Sequence, residues 1–504
     1  MATPPPTTSV TYYVSTSGDD ADDGLTEQTP WRTLEHAEAS ATVPGARIAL
    51  RRGDVFEMPT ALGIHHGGAP GEPIVWDGDS WGSGGKATIR SSQDREAPDK
   101  AVVNIIGASH VYFQNIVIDG NGTNAFGIVV GGTDSYYSPG GYQSFETDIV
   151  VQGNAILNCG DVDPDPEYYV IAVLIQTWNT DMWNITVRDN VVDTAANHGV
   201  IAYVGRAEHG ATPSTLYGMK MIGNTVTNFG INGQSRSSGM SFTQSVVDGV
   251  IECNTISQGP DSVDGAGIVI AGNADGTPQN AVIRYNDIRM RDKPGMAVQN
   301  GYAPSATVYG NLIYQESAVG NAAIWIQIAP GVGYTDGVET AQLDFLHNTI
   351  VVDQGTAFMD DSSTTGVTVF RNNLVVNKGS ATYGDPCYVA NVAASASHDH
   401  NACYRPEPGD VALAIENASF VYRSQMSVWE PTAVIEDPLL TDLDGFDWMP
   451  ALDSPVRQQG VPAGILADRN GAPYATPPSI GAYEIGVIFS DGFESGGLSS
   501  WGGT

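Results

Sequence analysis

A string of alternating apolar residues with an asparagine at its centre recurs nine times along the chain. The first three copies are Val111-Tyr112-Phe113-Gln114-Asn115-Ile116-Val117-Ile118, Ile149-Val150-Val151-Gln152-Gly153-Asn154-Ala155-Ile156 and Ile185-Thr186-Val187-Arg188-Asp189-Asn190-Val191-Val192. The others centre on Asn224, Asn254, Asn286, Asn311, Asn348 and Asn373, and successive asparagines stand 39, 36, 34, 30, 32, 25, 37 and 25 residues apart. A repeat of constant element type and variable loop length marks a solenoid, in which each unit buries its apolar face against the next. Within each copy the apolar period is two, the period of a strand. It breaks at the asparagine, a residue that tolerates left-handed backbone and whose amide can hydrogen-bond a neighbouring coil. The nine asparagines are therefore expected at equivalent turns, stacked as a ladder.

A further strand follows each unit after a loop and opens on a small residue. Examples are Gly127-Ile128-Val129-Val130, Gly199-Val200-Ile201-Ala202, Gly239-Met240-Ser241-Phe242, Gly267-Ile268-Val269-Ile270, Gly295-Met296-Ala297-Val298 and Ala323-Ile324-Trp325-Ile326. Three short strands per coil, with no helical stretch between them, predict an all-β fold, a parallel β-helix. A β-sandwich or a propeller is the other all-β arrangement, and neither accounts for nine asparagine-anchored copies. A solenoid also resolves the length, since 504 residues exceed what one compact two-layer core holds.

Composition narrows the function classes. The 22 Lys+Arg against 57 Asp+Glu give a formal charge of −35, a surface that repels nucleic acid and anionic lipid. No apolar run approaches the roughly 20 residues of a membrane span. The opening Met1-Ala2-Thr3-Pro4-Pro5-Pro6 has neither the basic region nor the apolar stretch of a signal peptide, so the chain is either cytosolic or lacks its signal in this sequence.

Two segments carry a resemblance. Tyr12-Tyr13-Val14-Ser15, Gly18-Asp19, Gly24-Leu25-Thr26, Pro30-Trp31-Arg32-Thr33-Leu34 and Ala37 resemble the opening of secreted bacterial right-handed parallel β-helix proteins. In that family this is a first strand and a short helix plugging the apolar end, which here implies a helix over residues 33–40 with Leu34 and Ala37 on one face. Asp437-Pro438-Leu439-Leu440, Asp453-Ser454-Pro455-Val456, Asp468, Gly471 and Ser479-Ile480-Gly481-Ala482-Tyr483-Glu484 resemble the closing segment of the same family. The family includes lyases of alginate, pectate and chondroitin, glycoside hydrolases, epimerases and surface proteins without known catalysis. The resemblance implies a right-handed solenoid and a secreted or cell-surface monomer acting on a polysaccharide, and it leaves the reaction open. It also implies a flexible N-terminus over 1–10, a β-helix over 11–485 with its cap in 11–45 and closing segment from about 380, and a tail over 486–504. Ile488-Phe489-Ser490-Asp491-Gly492-Phe493-Glu494-Ser495-Gly496 in that tail resembles the ends of exported proteobacterial proteins.

In this architecture the outer face of the strand after the asparagine unit forms a long groove, suited to an extended polymer. The residue after each glycine points inward, so Gln176, Trp178, Ile201, Tyr203, Ser241, Thr243, Ala271, Gln299, Trp325, Gln327, Met359 and Asp361 point outward. Amides and rings in line are what a sugar-binding groove needs, and Gln176, Trp178, Thr243, Arg291, Gln299, Trp325 and Gln327 are the expected substrate contacts. Ordinary surface decoration would give a similar list.

Loops entering these strands carry the ionisable residues: Asp161–Tyr169, His198, Arg236, Asp261, Asp264 and Arg291-Asp292-Lys293. One reading is β-elimination from a uronate polymer, which needs a base and a cation that acidifies the proton beside the carboxylate. His198, Tyr203 or Lys293 serves as base. Lys293 is one of only five lysines, and so less readily dismissed as filler. Arg236 or Arg291, or calcium held by Asp261 and Asp264, serves as the cation. The second reading is glycoside hydrolysis by two carboxylates drawn from Asp261, Asp264, Glu167 and Asp361, or epimerisation on the same scaffold. The third is a non-catalytic surface solenoid.

The remaining motifs are plain. His398-Asp399-His400 and His65-His66 are metal candidates or exposed loops, and Asp442-Leu443-Asp444-Gly445-Phe446-Asp447 and Gly18–Gly24 are calcium-like loops or solvated turns. The cysteines Cys159, Cys253, Cys387 and Cys403 have no CxxC spacing. Cys159 and Cys253 read as buried thiols, and Cys387 and Cys403 as a pair that an oxidising compartment would join.

Overall fold

The computed structural model describes residues 9–92, 101–123, 126–131, 147–160, 170–177, 180–204, 214–233, 237–271, 279–299, 305–316, 318–327, 342–361, 367–379, 386–390 and 395–486. Trp178, Arg236, Glu167, the Asp161–Tyr169 loop and the Ile488–Trp501 tail motif lie outside these residues. The chain is a right-handed parallel β-helix whose described residues form three long sheets with 13, 12 and 13 strands, here called A, B and C in the order each coil visits them and parallel throughout except for Ser419–Tyr422, the last strand of C. One coil runs through Ile149–Gln152 in A, Ala155–Cys159 in B and Ile171–Thr177 in C before the next begins at Thr186–Arg188 in A. Alternate side chains of all three sheets meet in one continuous interior of Val, Ile, Leu, Met and Phe.

The corner between sheets A and B is made by two adjacent columns. One is left-handed: Gly153, Asp189, Gly223, Cys253, Tyr285, Gly310, His347, Asn372 and His400 have φ of 64, 55, 66, 57, 58, 64, 52, 55 and 53°. The other is the asparagine column, one residue later. The left-handed turn therefore falls on the residue before each asparagine, and the asparagine supplies the hydrogen bonds. In each step the backbone N–H and Nδ2 of one asparagine donate to Oδ1 of the next, as Asn224 does to Asn254 at 2.8 and 3.0 Å. The second Nδ2 hydrogen reaches back to a strand carbonyl, Val187 for Asn224 at 2.9 Å.

Eight of the nine expected asparagines, Asn154 through Asn373, stand in this column. Asn115 does not. It takes the left-handed position at φ 59°, and the Ile116 N–H meets Asn154 Oδ1 at 3.0 Å in its place. The column instead gains Asn401, which accepts from Asn373 and donates its N–H to Glu430 Oε1 at 2.7 Å. Glu430, 3% exposed, ends the ladder by standing where the next asparagine would be.

At the other end, Thr33 caps a helix over Leu34–Ser40 by accepting the His36 N–H at 3.2 Å. Leu34 and Ala37 are buried, and the helix packs on Val10–Val14 and Leu62–Ile64, the first strands of sheets A and C. Cys387 and Cys403 form a disulfide across the last coil. Cys159 is a buried thiol as expected. Cys253 is not: it is exposed, because it occupies the left-handed corner that points out of the coil.

The closing segment, Leu440–Ile485, runs back along the outside of the solenoid. Trp448 and Ala482 cover Leu312, Val351 and Val376 on sheet B, and Arg469 and Ala467 engage Gly310 and Tyr285 on the corner. The closing-segment motif holds it in shape. Asp468 accepts N–H groups of Asn470, Ala472 and Glu484, and Glu484 accepts from Ser479.

Replacing Asn254 by alanine strands the Asn224 donors and the Met221 carbonyl inside the wall. At about 1–3 kcal/mol per buried unpaired group this should cost on the order of 3 kcal/mol. Asn115→Ala leaves the ladder intact and should cost only about 1–2 kcal/mol, the strain of alanine in left-handed backbone. Urea unfolding of the two variants checks the difference, and equal midpoints would remove the ladder from the stability account.

Candidate functional site

Sheet C carries the face that the sequence marks as a groove. Val200, Met240, Ile268 and Met296 are fully buried in the interior, so the residue after each glycine does point inward. The glycines are required sterically: a Cβ on Gly199 would fall inside van der Waals contact of Val226 and of the Gly239 carbonyl. Three outward rows result, with about 4.8 Å between coils. One row is His198, Ser238 and Ala266, just before the glycines. The middle row is Leu174, Ile201, Ser241, Val269, Ala297, Trp325 and Met359. The third is Gln176, Tyr203, Thr243, Ala271, Gln299 and Gln327. For Gln299 it is the strand register that is described.

The rows are not uniformly polar. Ala101, Val129, Ile171, Leu174 and Ile201 form an aliphatic strip on the outer face of the early coils, with Phe126 and Tyr203 packed against it. Polar groups enter where this strip stops. His198, 8% exposed, has Nδ1 2.9 Å from the Ser238 hydroxyl. Burial pushes its pKa down to about 4, so the ring is uncharged at neutral pH. One coil on, in the middle row, Ser241 is 2% exposed and its hydroxyl has no hydrogen-bond partner among the described residues. Ser238 was not singled out in the sequence. It precedes Gly239 just as His198 precedes Gly199, and that shared position is the signal that finds it.

The ionisable residues do not gather at one point. Tyr203 is five residues beyond His198 on the same strand, about 15 Å away at the rise of an extended chain. Lys293 pairs with Asp264 at 3.2 Å on the entry edge of the face, near Ala266, two coils from His198. Asp261 is held by the Asn228 side chain: its carboxylate accepts from Nδ2 at 3.3 Å and its backbone N–H donates to Oδ1 at 3.2 Å. Arg291 donates to the Ser262 and Pro260 carbonyls, so it clamps the loop carrying Asp264. Asp261 and Asp264 thus have different partners, and the described residues hold no group of three His, Cys, Asp or Glu side chains able to share a metal ion.

The other metal candidates have structural roles. His398 points into the last coil, stacked on Trp429 at 3.8 Å and bonded to Glu430 at 3.0 Å, while His400 sits at the left-handed corner. His66 pairs with Glu38, and His65 meets the Ile106 carbonyl. Asp442 caps the turn at Gly445, Asp20 accepts the Arg32 and Thr33 N–H groups ahead of the helix, and Asp23 accepts the Leu25 N–H. One feature escaped the sequence. Met182–Trp183, Leu216–Tyr217 and Val246–Val247 form a small parallel sheet between C and A, with the exposed Trp183 and Tyr217 rings stacked at 5.9 Å.

No protein-family model matches the chain, and no curated protein matches it. Solved structures do. The complex of XylC with xylose is 11% identical over 94% of this chain and 98% of that one, with a TM-score of 0.53. The GH136 lacto-N-biosidase from Eubacterium ramulus is 17% identical over 73% of this chain, with a TM-score of 0.48, and the chain spans 64% of its length. Pectate lyase Pel9A is 12% identical over 95% of this chain and 97% of that one, with a TM-score of 0.48. The likeness to XylC covers nearly the whole of both chains and is a likeness of fold.

Burial of neutral His198 gives a pH signature. Its pKa in the folded chain lies below the ordinary 6.5, so between pH 6.5 and about 4 the unfolded chain binds more protons and stability falls as pH is lowered through that window. The full effect is roughly 3 kcal/mol. His198→Gln should flatten this dependence, measured as denaturation midpoints at pH 7, 5.5 and 4.5. An unchanged slope would place the ring in contact with water.

Proposed function

We propose that the chain is a carbohydrate-active enzyme that binds an extended polysaccharide along the outer face of sheet C. The observation that carries this reading is the third row of six registered coils, where Gln176, Tyr203, Thr243 and Gln327 place hydrogen-bonding groups, Gln299 shares the register and Ala271 interrupts it. A periodic polymer meets a periodic protein face with one set of contacts per coil, and Trp325 offers a ring for stacking. The fold neighbour XylC was solved with xylose, an analogy of fold.

Within that reading, the reaction favoured is β-elimination at a uronate. His198, oriented by Ser238 and kept uncharged by burial, is the proton acceptor. Arg236, two residues before Ser238 in the chain, neutralises the substrate carboxylate, and Lys293 with Asp264 meets a uronate further along. The base takes the proton beside the carboxylate, the bond to the leaving sugar oxygen breaks, and that oxygen takes a proton from water. Hydrolysis finds less support, because Asp261 and Asp264 are tied to separate partners. The Cys387–Cys403 disulfide supports maturation in an oxidising compartment, and so a secreted or surface protein.

The test is a polysaccharide panel, with and without chelator, read by ultraviolet absorbance of unsaturated uronates and by reducing ends. New absorbance is expected, and Arg236→Ala should lower turnover about 10²–10³-fold with folding intact, as for loss of one electrostatic donor. Reducing ends without absorbance would replace elimination by hydrolysis. Silence on both would leave a binding solenoid.

A further inference from the structure

His347 lies at the left-handed corner of its coil, 1% exposed, beneath the closing segment. Its Nε2 is 2.9 Å from Asn372 Nδ2. The orientation of that amide is fixed from the other side: the Val461 N–H donates to Asn372 Oδ1 at 3.0 Å, and Asn372 Nδ2 donates to the Val461 carbonyl at 2.7 Å. Asn372 Nδ2 is therefore a donor toward the ring, and His347 Nε2 must be the bare acceptor. The segment closes over the pair. The Tyr474 ring lies 4.2 Å from the imidazole, the Tyr474 hydroxyl donates to the Gly481 carbonyl, and the Gly481 N–H donates to the Asn372 carbonyl.

An imidazolium carries N–H on both nitrogens, so protonation would set Nε2–H against the Asn372 NH₂. Relief requires turning the amide, which breaks both bonds to Val461, or moving the segment away. Charged and titratable groups around the ring offer no compensation. Tyr474 is the one in contact. Asp468 and Glu484 stand behind it with their oxygens taken by N–H and hydroxyl donors. Arg469 is directed at Gly310, Tyr285 at the Ala467 carbonyl, and the Arg371 guanidinium at Asp399.

We propose that His347 is an acid-sensitive latch: the closing segment docks on the neutral imidazole alone, and uptake of one proton releases it while the solenoid stays folded. The solenoid has its own ladder and core, whereas the segment docks on its outside through polar contacts, the Trp448 and Ala482 cover over Leu312, Val351 and Val376, and a second cluster in which Val456, Ile480 and Ile485 meet Leu374, Ala402 and Val434. Burial holds the imidazole pKa down to about 4, against the upward pull of the Gly481 and Ser479 backbone, so docking weakens as the pH falls below 6.5 and its histidine-linked loss is complete near 4. Release uncovers the apolar strip on sheet B.

The test lowers the pH of the full chain from 7 to 3 and follows three signals: far-ultraviolet circular dichroism for the sheets, binding of an apolar dye for the uncovered strip, and proteolytic cutting within residues 440–485. Dye binding and cutting should appear near pH 4 with the sheet signal retained. His347→Gln, which keeps an acceptor and does not titrate, should move that midpoint down by a pH unit or more. An unmoved midpoint, or a sheet signal lost together with the rise in dye binding and cutting, would overturn the proposal. Should the variant fail to fold, nuclear magnetic resonance of the wild-type ring decides. A His347 that titrates near pH 6.5 with the segment still docked overturns the latch, and one that stays neutral until release supports it.

Discussion

One hydrogen-bonded column sets the register of this molecule. Each ladder asparagine closes its own turn, satisfies the coil before it and is satisfied by the coil after it, all at positions exposed to 1% or less from Asn154 to Asn373. A turn buried in the wall of a solenoid cannot borrow hydrogen bonds from water, so its backbone groups must be paired within the protein. The amide supplies two donors and an acceptor in one side chain and has the same partners at every coil. Because the column admits no slip, every other position in the coil is also held in line. The outward rows of sheet C are aligned as a consequence of a contact on the opposite side of the coil.

Both ends of the column depart from the asparagine rule, each for a physical reason. At Asn115 the side chain has moved to the left-handed position, where its Nδ2 reaches Asp77 at 3.3 Å, and the ladder starts one coil later. At Asn401 the column meets Glu430, whose carboxylate accepts the two donors that a further asparagine would have taken and also holds His398. A carboxylate is a pure acceptor, so it can end a chain of donors without needing a partner beyond it.

The period-two strings and their asparagines made the fold legible, and the glycine register made the inward and outward residues of sheet C legible. Asn401 was not legible because the strand before it, Ser395-Ala396-Ser397-His398-Asp399, lacks the apolar alternation of the other copies. The site was less legible because its contacts join residues far apart in sequence. Ser238 meets His198 across 40 residues, and Lys293 meets Asp264 across 29. Charge alone could not say that Arg291 would be turned onto loop carbonyls, nor that Asp261 and Asp264 would take different partners. The Trp183–Tyr217 pair was hidden because two-residue strands carry no periodicity.

The ladder also bears on how such a chain can change its length. Every coil presents the same donors upward and the same acceptor downward, so any two coils are interchangeable at their junction. Thr255 through Asn286, a stretch from just after one ladder asparagine to the next, is a complete unit in this sense. Duplicating or excising it would leave each remaining amide with a partner of the same kind. Evolution can therefore lengthen or shorten the face of sheet C one coil at a time, fitting the span of the protein to the length of what lies upon it without redesigning the wall.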